Sequence, residues 1–165
     1  MTKKNKKIYI ILNVFAILWI AFIFGNSLKT ADASGMQSEG IVNFVIDKIL
    51  NTPIEKQSIE FVDLVTHFVR KVAHFTEFAI LGVIIFLICY ITDRSRLKSS
   101  IFSVCLSFCV AVCDELLQLT SEGRACRFSD VLIDTSGAAF ACLMMFLIVF
   151  LISKRKNSNF LIVRC

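Results

Sequence analysis

Four stretches of the chain stay apolar for about as long as a helix needs to cross a bilayer, and polar segments separate them. A hydrocarbon core about 30 Å thick takes roughly 20 helical residues. Ile8–Phe24 and Val131–Ile152 meet that length with a single charge between them, Asp134 near the start of the second. Val72–Ile91 and Ile101–Leu119 meet it only if their polar ends are kept, His74 and Glu77 in one and Asp114 and Glu115 in the other. The pattern therefore predicts transmembrane helices over about 8–25, 72–91, 101–119 and 131–152.

The longest polar segment, about 26–70, carries two helix-start signals. Ser34-Gly35-Met36-Gln37 has the form of a capping box, followed by apolar positions Ile41, Val42, Val45, Ile46 and Ile49. Thr52-Pro53-Ile54-Glu55 repeats the form with proline at the first helical position, and Phe61, Val62, Leu64, Val65, Phe68 and Val69 follow as an apolar face. That second helix is expected to run on into the second span. The connections Thr92–Ser100 and Thr120–Ser129 are short, so the spans they join are antiparallel neighbours. The expected fold is all-α. Residues 1–165 form a single polytopic membrane domain, a four-transmembrane-helix bundle with an extracytoplasmic helical segment, about 34–70, between helices 1 and 2.

Composition agrees with lipid as the solvent: 56% of residues are hydrophobic and 19% charged. The net charge of +5 does not point to nucleic acid, because the basic residues flank the spans and form no stripe interleaved with aromatics. They act as topology signals. With the N-terminus cytoplasmic, the inner side receives Lys3, Lys4, Lys6, Lys7, Arg94, Arg96, Lys98, Lys154, Arg155, Lys156 and Arg164. The outer side receives Lys29, Lys48, Lys56, Arg70, Lys71, Arg124 and Arg127, spread over longer loops. The positive-inside bias places both termini in the cytoplasm. The Lys-rich start and Ala31-Asp32-Ala33 also imitate a signal peptide and its cleavage site, but the apolar run is longer than a signal core and the tripeptide lies past its end, which favours a retained anchor. Of the seven cysteines, Cys89, Cys105, Cys109, Cys113 and Cys142 fall within spans as small apolar residues, and no metal or disulfide spacing is present.

The chemistry lies in three stripes at helical spacing. The second span carries Arg70, Lys71, His74 and Glu77, then Leu81 and Gly82. The third leads through Ser103, Ser107 and Ala111 to Glu115, with Asp114 and Gln118 beside it. The fourth carries Asp130, Asp134, Gly137, Ala138 and Ala141. Small residues let helix backbones approach, so these stripes are the expected interfaces and they aim the ionisable groups at one another. At ~1.5 Å rise per residue, the acids fall at a common level in the outer third of the bilayer, where they must pair, protonate or face water.

Arg70-Lys71-Val72-Ala73-His74-Phe75-Thr76-Glu77-Phe78, followed by Leu81-Gly82, resembles the first signature of the VanZ-like family of bacterial membrane proteins. Asp114-Glu115-Leu116-Leu117-Gln118, Gly123-Arg124, Asp130-Val131-Leu132, Asp134 and Gly137 resemble its second block, in the right order. The chain departs from that block at Ala125-Cys126-Arg127, where a small, often glycine-containing stretch is expected, so the resemblance assigns Arg127 no role. It implies a multi-pass protein of the bacterial plasma membrane. Because the founding relative gives resistance to teicoplanin-type glycopeptides, it also implies a contribution to that resistance or to envelope homeostasis.

The cluster admits several readings. In the first, Lys71, His74, Asp114, Glu115, Gln118, Arg124, Asp130 and Asp134 form a binding site for an anionic envelope molecule, with Arg124, Lys71 and His74 taking the anion. The expected partners are then membrane lipids and a lipid-linked wall precursor or glycopeptide-related ligand. In the second, the protein is an outer-leaflet hydrolase or transferase in which His74, Glu77 and Glu115 transfer protons; a metal-assisted variant would draw on His74, Glu77, Asp114, Glu115 and Asp130. In the third, the groups form an ion network that only fixes helix register. A transporter is disfavoured by the few spans and the lack of repeats. No cofactor or resident metal is assigned from the sequence.

Overall fold

The computed structural model describes residues 3–49, 58–92, 94–121 and 126–162. Among these, the regular structure is helical, with no strand: α1 (Lys3–Ser27), α2 (Ala31–Phe44), running on into a π-helical stretch (Val45–Ile49), α3 (Ile59–Ile91), α4 (Arg96–Gln118) and α5 (Phe128–Ile162). Helices α1, α3, α4 and α5 are each long and apolar enough to cross a membrane. The chain is a multi-pass membrane protein.

Its packing inverts that of a soluble bundle. On α4, Ser99, Ser103, Ser107, Ala111, Asp114, Glu115 and Gln118 are buried, while Ile101, Phe102, Leu106, Phe108 and Leu116 are exposed. Lipid is as apolar as leucine, so the gain comes from close backbone approach and interhelical hydrogen bonds at small residues. Helix α3 crosses α5 so tightly at Gly82 that a Cβ there would lie 2.9 Å from the carbonyl oxygen of Ala138, and a Cβ on Gly137 would collide with the carbonyl of Phe75. Helix α4 is tied to the same point, where the Ser103 hydroxyl donates to the carbonyl of Gly82 at 2.8 Å. Around this crossing Phe78, Leu81, Ile85 and Cys89 of α3 pack with Val110 and Ala111 of α4, Val131 of α5 and Ile23 of α1. Helix α1 is peripheral: Ala16, Ile23 and Ser27 turn inward along one stripe while most of its large apolar side chains stay exposed.

The segment between α1 and α3 starts one turn earlier than expected. Thr30, not Ser34, caps α2, its hydroxyl accepting from the Ala33 N–H at 3.3 Å. The glutamine that completes the box in the sequence is engaged elsewhere: Gln37 accepts a hydrogen bond from Lys29 Nζ at 2.7 Å. Helix α3 opens under Ser58, which accepts from the Phe61 N–H at 3.3 Å; the box expected at Thr52–Glu55 lies outside the described residues. Val42, Val45 and Ile46 pack against Phe61, Val62, Val65 and Val69 as a small second core. Ile41, Leu64 and Phe68, expected on the same faces, are exposed, because a contact between two helices covers only one stripe of each.

As expected, α3 is continuous from this second core into the bundle. Its 33 residues rise about 50 Å, whereas about 20 residues cross the hydrocarbon. If the crossing ends at Ile91, one membrane boundary falls near Arg70, Lys71 and His74.

Candidate functional site

The end of α4, the start of α5 and the middle of α3 meet at that boundary. They enclose a cleft of about 170 Å³ lined by His67, Arg70, Lys71 and His74 of α3, Glu115 and Gln118 of α4, and Arg127, Asp130, Ile133 and Asp134 at the start of α5. The helix ends treat their charges differently. Asp130 lies in the first turn of α5, where the helix dipole favours an anion. Glu115 lies in the last turn of α4, where it is disfavoured. Local helix stability does not explain Glu115.

Glu115 is held from two sides. Its Oε2 accepts from the Arg127 backbone N–H at 2.9 Å, and its Oε1 accepts from Gln118 Nε2 at 3.1 Å. The same Gln118 nitrogen reaches Asp114 Oδ2 at 3.3 Å. Lys71 donates to Asp130 across the α3–α5 groove, with each side chain about one quarter exposed. Asp134 is 2% exposed, and its nearest ionic neighbour is His74, with Nδ1 4.0 Å from Oδ1. Asp114 is fully buried. One ligand atom each from His74, Asp114 and Asp134 lie within 4.8 Å of one another.

Of the residues expected at the site, Lys71, His74, Glu115, Gln118, Asp130 and Asp134 line the cleft, and Asp114 is buried beside His74 and Asp134. Arg124 lies outside the described residues. Glu77 is placed apart. It follows His74 by three residues, which rotates it about 60° around α3, and it lines a separate hollow of about 150 Å³ between α3, α2 and the end of α1. Its Oε1 accepts from Asn26 Nδ2 at 2.9 Å, and its backbone carbonyl accepts from the Trp19 indole N–H at 3.0 Å. Arg70 and His74 border both spaces.

Sequence reasoning missed several neighbours. Trp19, which the spacing arguments did not single out, pins α1 to α3. Asn26 carried no signal, since one asparagine at a span end usually marks only the boundary. His67 is exposed yet lines the cleft, and a histidine two turns before His74 on the same helix was the available clue. Arg127, assigned no role, donates its backbone N–H to Glu115 and lines the cleft. Cys126 is exposed, and partial desolvation followed by the Glu115 charge pushes its thiol up. A protonated thiol, not a nucleophilic thiolate, therefore faces Glu115.

The α1 attachment yields a modest prediction. Replacing Trp19 with Phe keeps most of the apolar contact and removes the bond to the Glu77 carbonyl, so it should cost about 1 kcal/mol. Unfolding of the detergent-solubilised protein, compared with Trp19→Phe/Asn26→Leu, would measure this; no change in the single variant would mean that the indole bond does not hold α1.

A sequence model of the family described as VanZ/LLP1 matches residues 12–152. That covers most of the chain, so the chain belongs to the VanZ/LLP1 family. No curated protein and no solved structure matches it.

Proposed function

We propose that this VanZ-like membrane protein binds the anionic head group of an envelope lipid or lipid-linked wall precursor in the cleft between α3, α4 and α5, and through it contributes to glycopeptide (teicoplanin-type) resistance or envelope homeostasis. One observation carries this reading: Arg70, Lys71, His67, His74 and Arg127 line one space between α3, α4 and α5. Guanidinium and ammonium groups at a lipid edge suit phosphate or carboxylate, which they meet with charge-assisted hydrogen bonds. The acids orient them. Asp130 holds Lys71, and Glu115 anchors the strand of backbone that carries Arg127.

The excess of basic residues at the other end of the bundle supports an orientation with both termini in the cytoplasm. The cleft then opens to the outer leaflet of the plasma membrane, where wall precursors are consumed. Arg70→Ala is the direct test, because among the described residues no hydrogen bond or ion pair ties Arg70 to the fold. It should lower the binding of a phosphorylated polyprenyl lipid by tenfold or more, about 1.4 kcal/mol, with unfolding unchanged. Native mass spectrometry from lipid nanodiscs reads both the binding and the intact fold. Equal lipid retention by Arg70→Ala and the parent chain would refute the anion site.

The shared lining of His74 and Glu115 supports a second reading, an outer-leaflet hydrolase or transferase in which these two move protons. Glu77, turned to α1, would serve that reading only by holding α3 in place. Release of labelled product from envelope lipids, lost in Glu115→Gln, would distinguish catalysis from binding.

A further inference from the structure

The floor of the cleft has a different character from its basic rim. Asp134 is 2% exposed and lines the cleft, yet no hydrogen bond from a described residue reaches it. Among the described residues, the charged groups that act on it are carboxylates, Asp114, Glu115, Asp130 and Glu77, and Lys71 of the cleft is engaged by Asp130. Among the described residues its ion-pair neighbour is His74, and the 4.0 Å between Nδ1 and Oδ1 is too long for a hydrogen bond. Two ligands at about 2.0–2.2 Å from a single cation can stand at most about 4.4 Å apart, and this pair lies within that limit. Asp114, fully buried on the third helix, presents a ligand atom within 4.8 Å of both.

We propose that His74, Asp114 and Asp134, one from each of α3, α4 and α5, form a binding site for a divalent transition-metal cation such as Mn²⁺ or Zn²⁺. One imidazole and two carboxylates make a mixed nitrogen–oxygen donor set, which these ions accept and which Mg²⁺ or Ca²⁺, preferring all-oxygen shells, do not favour. The cation would hold the two carboxylates and the imidazole together and tie the three helices at one level. Gln118, donating to Asp114 Oδ2, orients that carboxylate. The ligand set differs from the one its sequence spacing suggests, because Glu77 faces α1 and Asp130 holds Lys71. The remaining coordination positions open into the cleft, where the oxygen of an anionic head group would complete the shell; that last point rests on the reading given under Proposed function, whereas the metal site itself does not.

The test uses the full chain in detergent, stripped with a chelator and titrated with Mn²⁺ without any lipid ligand. Electron paramagnetic resonance should show about one bound ion per chain, electron spin-echo modulation should show an imidazole nitrogen in its shell, and Zn²⁺ should displace it. Asp134→Asn should weaken binding by at least tenfold and His74→Ala should remove the nitrogen signal, while Glu39→Gln, exposed on α2, leaves both unchanged. If Asp134→Asn does not fold, Asp114→Asn takes its place. The absence of stoichiometric Mn²⁺ or Zn²⁺ binding by the parent chain, bound Mn²⁺ without imidazole nitrogen, or undiminished binding in the folded aspartate variant would each overturn the site. Because no lipid is present, such a failure leaves the anion reading of the rim intact.

Discussion

Replacing Gly137 with alanine should break the bundle, at a cost of about 3 kcal/mol. The added methyl would collide with the backbone carbonyl of Phe75, and a carbonyl within a helix cannot turn aside as a long side chain can. Helices α3 and α5 must separate or slide, and overpacking of this kind costs up to about 3 kcal/mol even where flexible side chains absorb part of it. The damage would reach the site, because His74 and Asp134 lie beside that contact on the same two helices. Gly82→Ala should cost somewhat less, its nearest obstacle being the Ala138 carbonyl oxygen at 2.9 Å. Gly25→Ala on peripheral α1 meets nothing within 4 Å and should be neutral or stabilising by about 0.5–1 kcal/mol, since alanine favours the helix. Denaturant unfolding of the three variants in one detergent gives the order directly. If Gly137→Ala matches Gly25→Ala in stability, α3 and α5 do not cross at this distance.

The second large effect is expected from Lys71 and Asp130, whose ion pair joins α3 to α5 at the mouth of the cleft. Removing either partner leaves a charge at the lipid edge without its counterion. The pair is only about one quarter exposed, so Lys71→Met or Asp130→Leu should cost about 1–3 kcal/mol. The exchange Lys71→Asp/Asp130→Lys restores an ion pair of opposite direction and should recover most of that loss. Binding should not recover, because the cation then sits on α5, away from Arg70 and His74. Measuring unfolding and phospholipid retention on the same samples separates the two roles. Recovery of both properties in the exchanged variant would mean that the pair only holds helices together and that the rim does not read charge position.

Much of the molecule is legible in the residue pattern. Runs of about 20 apolar residues have no other common use than crossing lipid, and the stripes Ser103-Ser107-Ala111 and Gly137-Ala138-Ala141 mark interfaces because only small residues allow helices to touch where lipid offers no hydrophobic drive. The meeting of acids and bases from three helices follows from those stripes, since fixing which faces touch also fixes where residues one or two turns away must point. The capping box at Ser34 misled because a glutamine three residues on is equally able to accept from a lysine, and local sequence does not choose between the two.

Sequence periodicity determined the four crossings, the faces they share and the level at which the charges gather, because each depends only on spacing along one helix and on the insolubility of backbone and charge in hydrocarbon. Which charges pair depended on the tertiary structure. The turn of Glu77 to Asn26 and Trp19, the engagement of Lys71 by Asp130 and the convergence of His74 with Asp114 and Asp134 all depend on how neighbouring helices are rotated and offset. A rotation of some tens of degrees or a shift of a few ångströms exchanges one partner for another, and close packing at Gly82 and Gly137 is what selects one arrangement.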